Sequence, residues 1–187
     1  MAVHNTPFDA ANTAVRAYLT EIGEHYFGRP FNMSGKKGKT EWGKIRDEIF
    51  GGECAYCGVK GQKLTMDHLI MMNRTDFGLH HPGNVVPTCS SCQKRSRKEG
   101  TNTYNSWVDH LSYICKKNND KSKFHDRWKR ISDYITTGEY KYPSLSDEEK
   151  NAIRIIANNL YERIKGEFDN AITIYQELDK TFSKKNR

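Results

Sequence analysis

Two Cys-x-x-Cys pairs, Cys54-Ala55-Tyr56-Cys57 and Cys89-Ser90-Ser91-Cys92, carry the strongest chemical signal in the chain. A turn of this kind aims two thiolates at one point. Two such turns complete the tetrahedral sulfur shell that Zn²⁺ prefers. A structural zinc site at Cys54, Cys57, Cys89 and Cys92 is therefore expected. The 31 residues between the pairs exceed a zinc-ribbon gap, so a small subdomain must be inserted there. A redox role for one pair would leave the other idle. The fifth cysteine, Cys115, falls on the face of a predicted helix and reads as a small buried hydrophobe.

The inserted segment opens on Thr65-Met66-Asp67-His68. It closes on Gly83-Asn84-Val85-Val86-Pro87-Thr88, which runs into the second cysteine pair and then Gln93-Lys94-Arg95. Here the sequence resembles the HNH nucleases. That family's pattern is Cys-x-x-Cys, then Asp-His, then Asn-apolar-x-Pro-x-Cys-x-x-Cys, then a metal-binding residue directly after the last cysteine. The resemblance spans about 45 residues, Cys54 to Lys98, in the family's order. The resemblance does not extend to the flanking helices.

The resemblance implies an α+β fold with a ββα-metal (HNH) core, a structural zinc and one catalytic metal, set in a mainly helical chain. Position by position, it implies that His68 is the general base that activates water. Asp67 is a ligand of the catalytic metal, and Asn84 braces the loop that aims His68. Gln93 takes the third position, where His or Asn is usual. The chemistry is coherent on its own terms. Phosphodiester hydrolysis needs a base, and neutral imidazole titrates near working pH. It also needs a cation to offset charge on the phosphate and the leaving oxygen. A hard ion such as Mg²⁺ or Mn²⁺ accepts a carboxylate and an amide oxygen, which Asp67 and Gln93 offer. Adjacent strand residues point to opposite faces, so Asp67 and His68 can share a phosphate only if that strand end is distorted. His80 and His81 read as an exposed loop pair.

The elements that must position these residues follow from periodicity. Residues Phe8 to Phe27 predict a helix, with Ala14, Tyr18 and Ile22 at near-helical spacing. A basic loop, Ser34 to Lys39, follows, and Thr40 reads as the N-cap of a short helix ending at Gly51-Gly52. Strands are predicted within Lys63 to Ile70 and Gly83 to Thr88, joined by a polar loop, with Pro87 at an edge or terminus. A helix is predicted from Ser90 onward, and further helices over Thr103 to Lys117 and Lys121 to Ile135. A long helix opens on the capping box Ser146 and Glu149. Its apolar stripe runs from Ile153 to Phe182, with core packing as the simplest use. Three segments result: residues 1–52 with the basic loop, 53–100 with the HNH core, and a helical region, 101–187.

The chain has 187 residues, a net charge of +7 and a pI of about 9.1. That balance favours a polyanionic partner, with double-stranded DNA the first choice. Between Gln93 and Arg130 there are 11 Lys/Arg against 4 Asp/Glu. Lys94, Arg95, Arg97 and Lys98 are expected to contact phosphates from the helix after Gln93. Lys36, Lys37 and Lys39 form a second candidate contact. No secretory leader is visible over Met1 to Asp9, and no apolar run is long enough to span a membrane. A reducing cytoplasm suits the unpaired cysteine count.

The leading expectation is a sequence-specific restriction endonuclease cutting double-stranded DNA. A phage or mobile-element nicking or homing enzyme fits the same facts. A non-catalytic zinc module that only binds DNA is the alternative from another class, and a nuclease of structured RNA is a third. The Asp67-His68 pair discriminates, since a pure binder has no need of it. A palindromic target cut on both strands needs two sites with two-fold symmetry, hence a homodimer. Its interface would be the Ile153 to Phe182 stripe or the N-terminal helix near Tyr18 and Ile22. The same stripe could instead fold back on the helices of Trp107 and Trp128.

Overall fold

The computed structural model describes residues 6–101 and 103–185. Residues 1–5, on which the reading of the N-terminus partly rests, lie outside the described residues. Among the described residues the chain is α-rich with one small sheet. Helix α1 (Pro7–Phe27) is capped by Thr6, whose hydroxyl accepts the Asp9 N–H. It ends at Gly28, which sits in the left-handed region at φ 76°. Helix α2 (Lys36–Gly43) runs into a π-helical stretch, Lys44–Ile49. Strands β1 (Thr65–His68) and β2 (Val85–Thr88) pair antiparallel, with Thr65 opposite Thr88 and His68 opposite Val85. Helices α3 (Trp107–Lys117), α4 (Phe124–Thr136) and α5 (Asp147–Lys185) complete the order.

Two cores hold these elements. The larger gathers Phe31, Trp42, Ile45 and Phe50 with β2 and with Leu111, Ile114 and Ile131 of α3 and α4. The cysteines are part of it, Cys115 included. The smaller joins the two ends of the chain. Ala11, Val15 and Leu19 of α1 pack on Ile153, Ala157 and Tyr161 of α5, with Leu79 from the central loop between them. Spacings of four residues put each set on one helical face. The capping box at α5 forms as its sequence predicts. Ser146 Oγ accepts the Glu149 N–H, and Glu149 accepts the Ser146 N–H.

Four expectations are corrected. The basic segment Lys36, Lys37 and Lys39 is not a loop but the opening of α2, and Thr40 is an interior residue whose hydroxyl bonds the Lys36 carbonyl. Gly38 makes this possible, because a Cβ there would overlap the backbone of Phe31 and Asn32. No helix forms from Ser90 to Lys98. That segment doubles back on Thr103 to Asn105 instead, through Lys98 N–H to Thr103 O and Asn105 N–H to Ser96 O. The turn is made by Gly100, at φ 68°. The first helix after β2 is therefore α3. Finally, the first part of the α5 stripe, Ile153 to Ile164, folds back on α1, not on the helices of Trp107 and Trp128, and Tyr18 and Ile22 are spent on that contact.

Gly23 is where α1 meets the central loop. The His80 N–H donates to the Leu19 carbonyl at 3.2 Å. A Cβ on Gly23 would overlap the carbonyl of His80. Gly23→Ala should force helix and loop apart, at a cost of about 3 kcal/mol. For a chain of this size that is a fall in Tm of roughly 6–12 °C by calorimetry. The control Gly43→Ala, where a Cβ meets nothing, should not lower Tm.

Candidate functional site

The four knuckle cysteines converge. Their sulfurs all lie within 4.8 Å of one another, and Cys57 Sγ to Cys89 Sγ is 3.7 Å. A tetrahedron with ordinary Zn–S bonds places its sulfurs about 3.8 Å apart, so the thiols can hold a metal ion such as zinc. Local backbone makes this cup. Gly58 N–H bonds Cys54 O, and Cys92 N–H bonds Cys89 O. Ala55 N–H reaches Pro87 O, which ties the first turn to β2. From α3, the His110 ring bonds the Cys92 carbonyl through Nε2 at 2.7 Å. Without a cation the thiols compete for charge. Cys54 is drawn down to about 5, chiefly by its hydrogen bond from Cys92. Cys57 is pushed up to about 11, chiefly by burial. A divalent ion would let all four ionise.

Asp67 and His68 sit at the end of β1 and face opposite sides. The expected distortion is absent, since pairing continues through His68 opposite Val85. Asp67 is buried. Its Oδ2 accepts from Tyr56 Oη at 2.8 Å and from Arg95 at 2.7 Å. Arg95 also donates to the carbonyls of Leu69 and His68. Its side chain is 2% exposed, so it is not on the surface where a DNA phosphate would meet it. Lys94, Arg97 and Lys98 are exposed, as are Lys36, Lys37 and Lys39. Gln93 is exposed on the same irregular segment. Among the described residues, the cysteines alone form a group of three or more His, Cys, Asp and Glu side chains that could hold a metal. The residues present do not fit a second ion at Asp67 as it stands, because the cation beside that carboxylate is already Arg95.

On the other face, His68 Nε2 lies 3.0 Å from His80 Nδ1. His80 and His81 are buried, not the exposed loop pair expected from sequence. His81 Nδ1 accepts the Gly83 N–H and fixes the turn into β2. Asn84 braces the loop between the strands. It accepts the Ile70 N–H and donates to the carbonyls of Ile70 and Leu79. Gly78 lies against this brace, and a Cβ there would overlap the Ile70 carbonyl. Sequence reasoning missed His80, Tyr56 and His110. Leu79 on one side of the two histidines and Pro82 on the other were the available signs that this stretch turns inward.

Burial depresses the histidines. His68 falls to about 3, by burial first, then by His80 and Arg95. His81 falls to about 4 for the same leading reason, and His80 is lowered too. These rings are neutral when folded and take up protons more readily when unfolded. Their contribution is complete above the unfolded value near 6.5 and is lost as pH falls towards 4 and 3. Stability should drop steadily below pH 6.5, by roughly 3 kcal/mol at pH 4 from His68 alone. Urea titrations between pH 4 and pH 8 check this. A flat profile across that interval would mean the rings are solvated.

No family model matches the chain, and no curated protein or solved structure does either.

Proposed function

We propose that the chain is an endonuclease that hydrolyses phosphodiester bonds in double-stranded DNA, of the sequence-specific restriction type. The observation that carries this reading is the Asn84 brace. Its three hydrogen bonds tie Ile70 and Leu79 together across the loop that leaves β1 directly after His68, at the end of the hairpin away from the cysteine cup. Burial keeps the His68 ring neutral, the form a general base needs, while disfavouring the protonated form. A phosphodiester brought close would raise its basicity, as any nearby negative charge does. His80 would hold the ring's orientation through Nε2, leaving Nδ1 as the proton-accepting atom. Lys94, Arg97, Lys98 and the α2 lysines would bind the backbone.

The Mg²⁺ or Mn²⁺ that hydrolysis of this kind uses would look to Asp67 and Gln93. No step is assigned to such an ion, because Arg95 holds Asp67. That same pairing favours a second reading, a non-catalytic module that holds zinc and binds DNA. One experiment separates the two. Supercoiled plasmid is incubated with the protein, with and without Mg²⁺ or Mn²⁺, and the ends are sequenced. Defined linear products support the restriction reading, and nicked circles support a nicking enzyme. Retarded but intact plasmid under all conditions supports the binder.

A further inference from the structure

Helix α5 outruns the body that it packs on. Phe8, near the start of α1, meets Tyr161 edge to face at 6.1 Å. Beyond Ile164, which is half-buried against the smaller core, no described element covers α5. Phe168, Ile172, Ile174, Tyr175, Leu178 and Phe182 are between 42% and 63% exposed. Their spacing is regular. Tyr161, Phe168, Tyr175 and Phe182 recur every seventh residue, and Ile164, Ala171 and Leu178 fall between them on the 3-4 alternation of a coiled-coil seam. Every first seam position is aromatic, and every second is aliphatic.

We infer that this half of α5 pairs with the same segment of a second copy, antiparallel, about a two-fold axis level with Thr173. Side-chain volume argues for the orientation. Antiparallel pairing sets first positions against second ones. Phe168 then meets Leu178 of the second copy, Tyr175 meets Ala171, and Phe182 meets Ile164. Each layer combines one large ring with one smaller group, so all layers have similar width. Parallel pairing would stack Phe168 on Phe168 and Ala171 on Ala171. Wide and narrow layers would alternate, and helices at a constant spacing cannot fill both.

Charge argues the same way. The positions flanking the seam include Lys165 and Asp179, both exposed. In the antiparallel register Lys165 faces Asp179 of the second copy, and symmetry repeats the pair. Among the described residues neither is in an ion pair within the chain. In a parallel register they lie two heptads apart and cannot meet. Ile172 and Ile174 flank the axis and meet their own symmetry mates, which widens the seam at its centre. DNA is a poor occupant, since Tyr161 to Ser183 carries three basic and five acidic residues. The surface is complementary to itself, as a two-fold interface requires. This inference does not depend on the nuclease reading.

Sedimentation equilibrium of the intact zinc-loaded chain tests it, over about 1–100 µM and without DNA. The expected mass rises with concentration to about twice the 21.6 kDa of one chain. Leu178→Glu should weaken association at least tenfold. Lys165→Glu alone and Asp179→Lys alone should each weaken it, and the double exchange should restore it. All these positions are exposed, and zinc content with circular dichroism reports that each variant is folded. A monomer at every concentration would overturn the proposal. So would a dimer indifferent to Leu178→Glu. A dimer that the double exchange fails to restore would overturn the antiparallel register.

Discussion

His68→Ala should lower the rate of plasmid cleavage by about 10²–10⁴-fold, the usual cost of losing a general base. Binding of the duplex should persist, because the exposed cations on α2 and after Gln93 are untouched. The structure sharpens this test. His68 is held by one side-chain contact, to His80, so His80→Ala should also reduce the rate, by freeing the ring. The two losses should not add, since both act through one imidazole. Asn84→Ala should behave differently. It strips three hydrogen bonds from backbone groups, one of them buried and two part-buried, and should lower Tm as well as rate. Initial rates on supercoiled plasmid, with a gel-shift control, give the answer. Wild-type cleavage by His68→Ala would remove this histidine from the chemistry.

The second large effect concerns the cysteine cup. Purified without chelator, the protein should carry one tightly held Zn²⁺ per chain. Stripping it should unfold the larger core. The sulfurs are not appended to that core but buried inside it, beside Tyr56, Val86 and Ile114. Binding energies of structural zinc sites, about 10–16 kcal/mol, match or exceed the whole stability of a domain. Cys89→Ser or Cys92→Ser should therefore abolish cooperative unfolding. Cys115→Ser should retain the metal and cost only packing, since Cys115 lies outside the cup. Metal analysis and thermal melts with and without chelator decide the matter. A protein with no zinc and an unchanged melt would show that four clustered thiols suffice without an ion.

Legibility in the sequence tracked the range of the interaction. The cysteine cup was legible because each Cys-x-x-Cys turn is local, and the capping box at Ser146 and Glu149 for the same reason. The two strands were legible within two residues or so, because each is bounded by local turn and proline signals. What failed was decided at a distance. The helix expected from Ser90 is lost because Arg95 turns inward to Asp67, far back along the chain. His80 and His81 look solvent-facing in a polar stretch, but α1 and Tyr142 bury them. The divided fate of the α5 stripe was invisible as well. Periodicity shows that a face is apolar; it does not show where the covering element stops.

The pairing of α1 with α5 has a consequence in time. Tyr26 and its partner Glu149 are 123 residues apart. At ordinary rates of synthesis the first helix waits about 6–25 s for the last. During that interval the apolar face of Ala11, Val15 and Leu19 has emerged from the ribosome with only Leu79 of the central loop, and no α5, to cover it. The cysteine turns and the β1–β2 pair are complete much earlier, since both cysteine pairs precede α3. Maturation is therefore ordered, with a metal-dependent kernel first and closure of the chain ends last. Nascent chains arrested before Asp147 should hold zinc yet remain sensitive to protease within α1, and acquire protection there only when α5 is released.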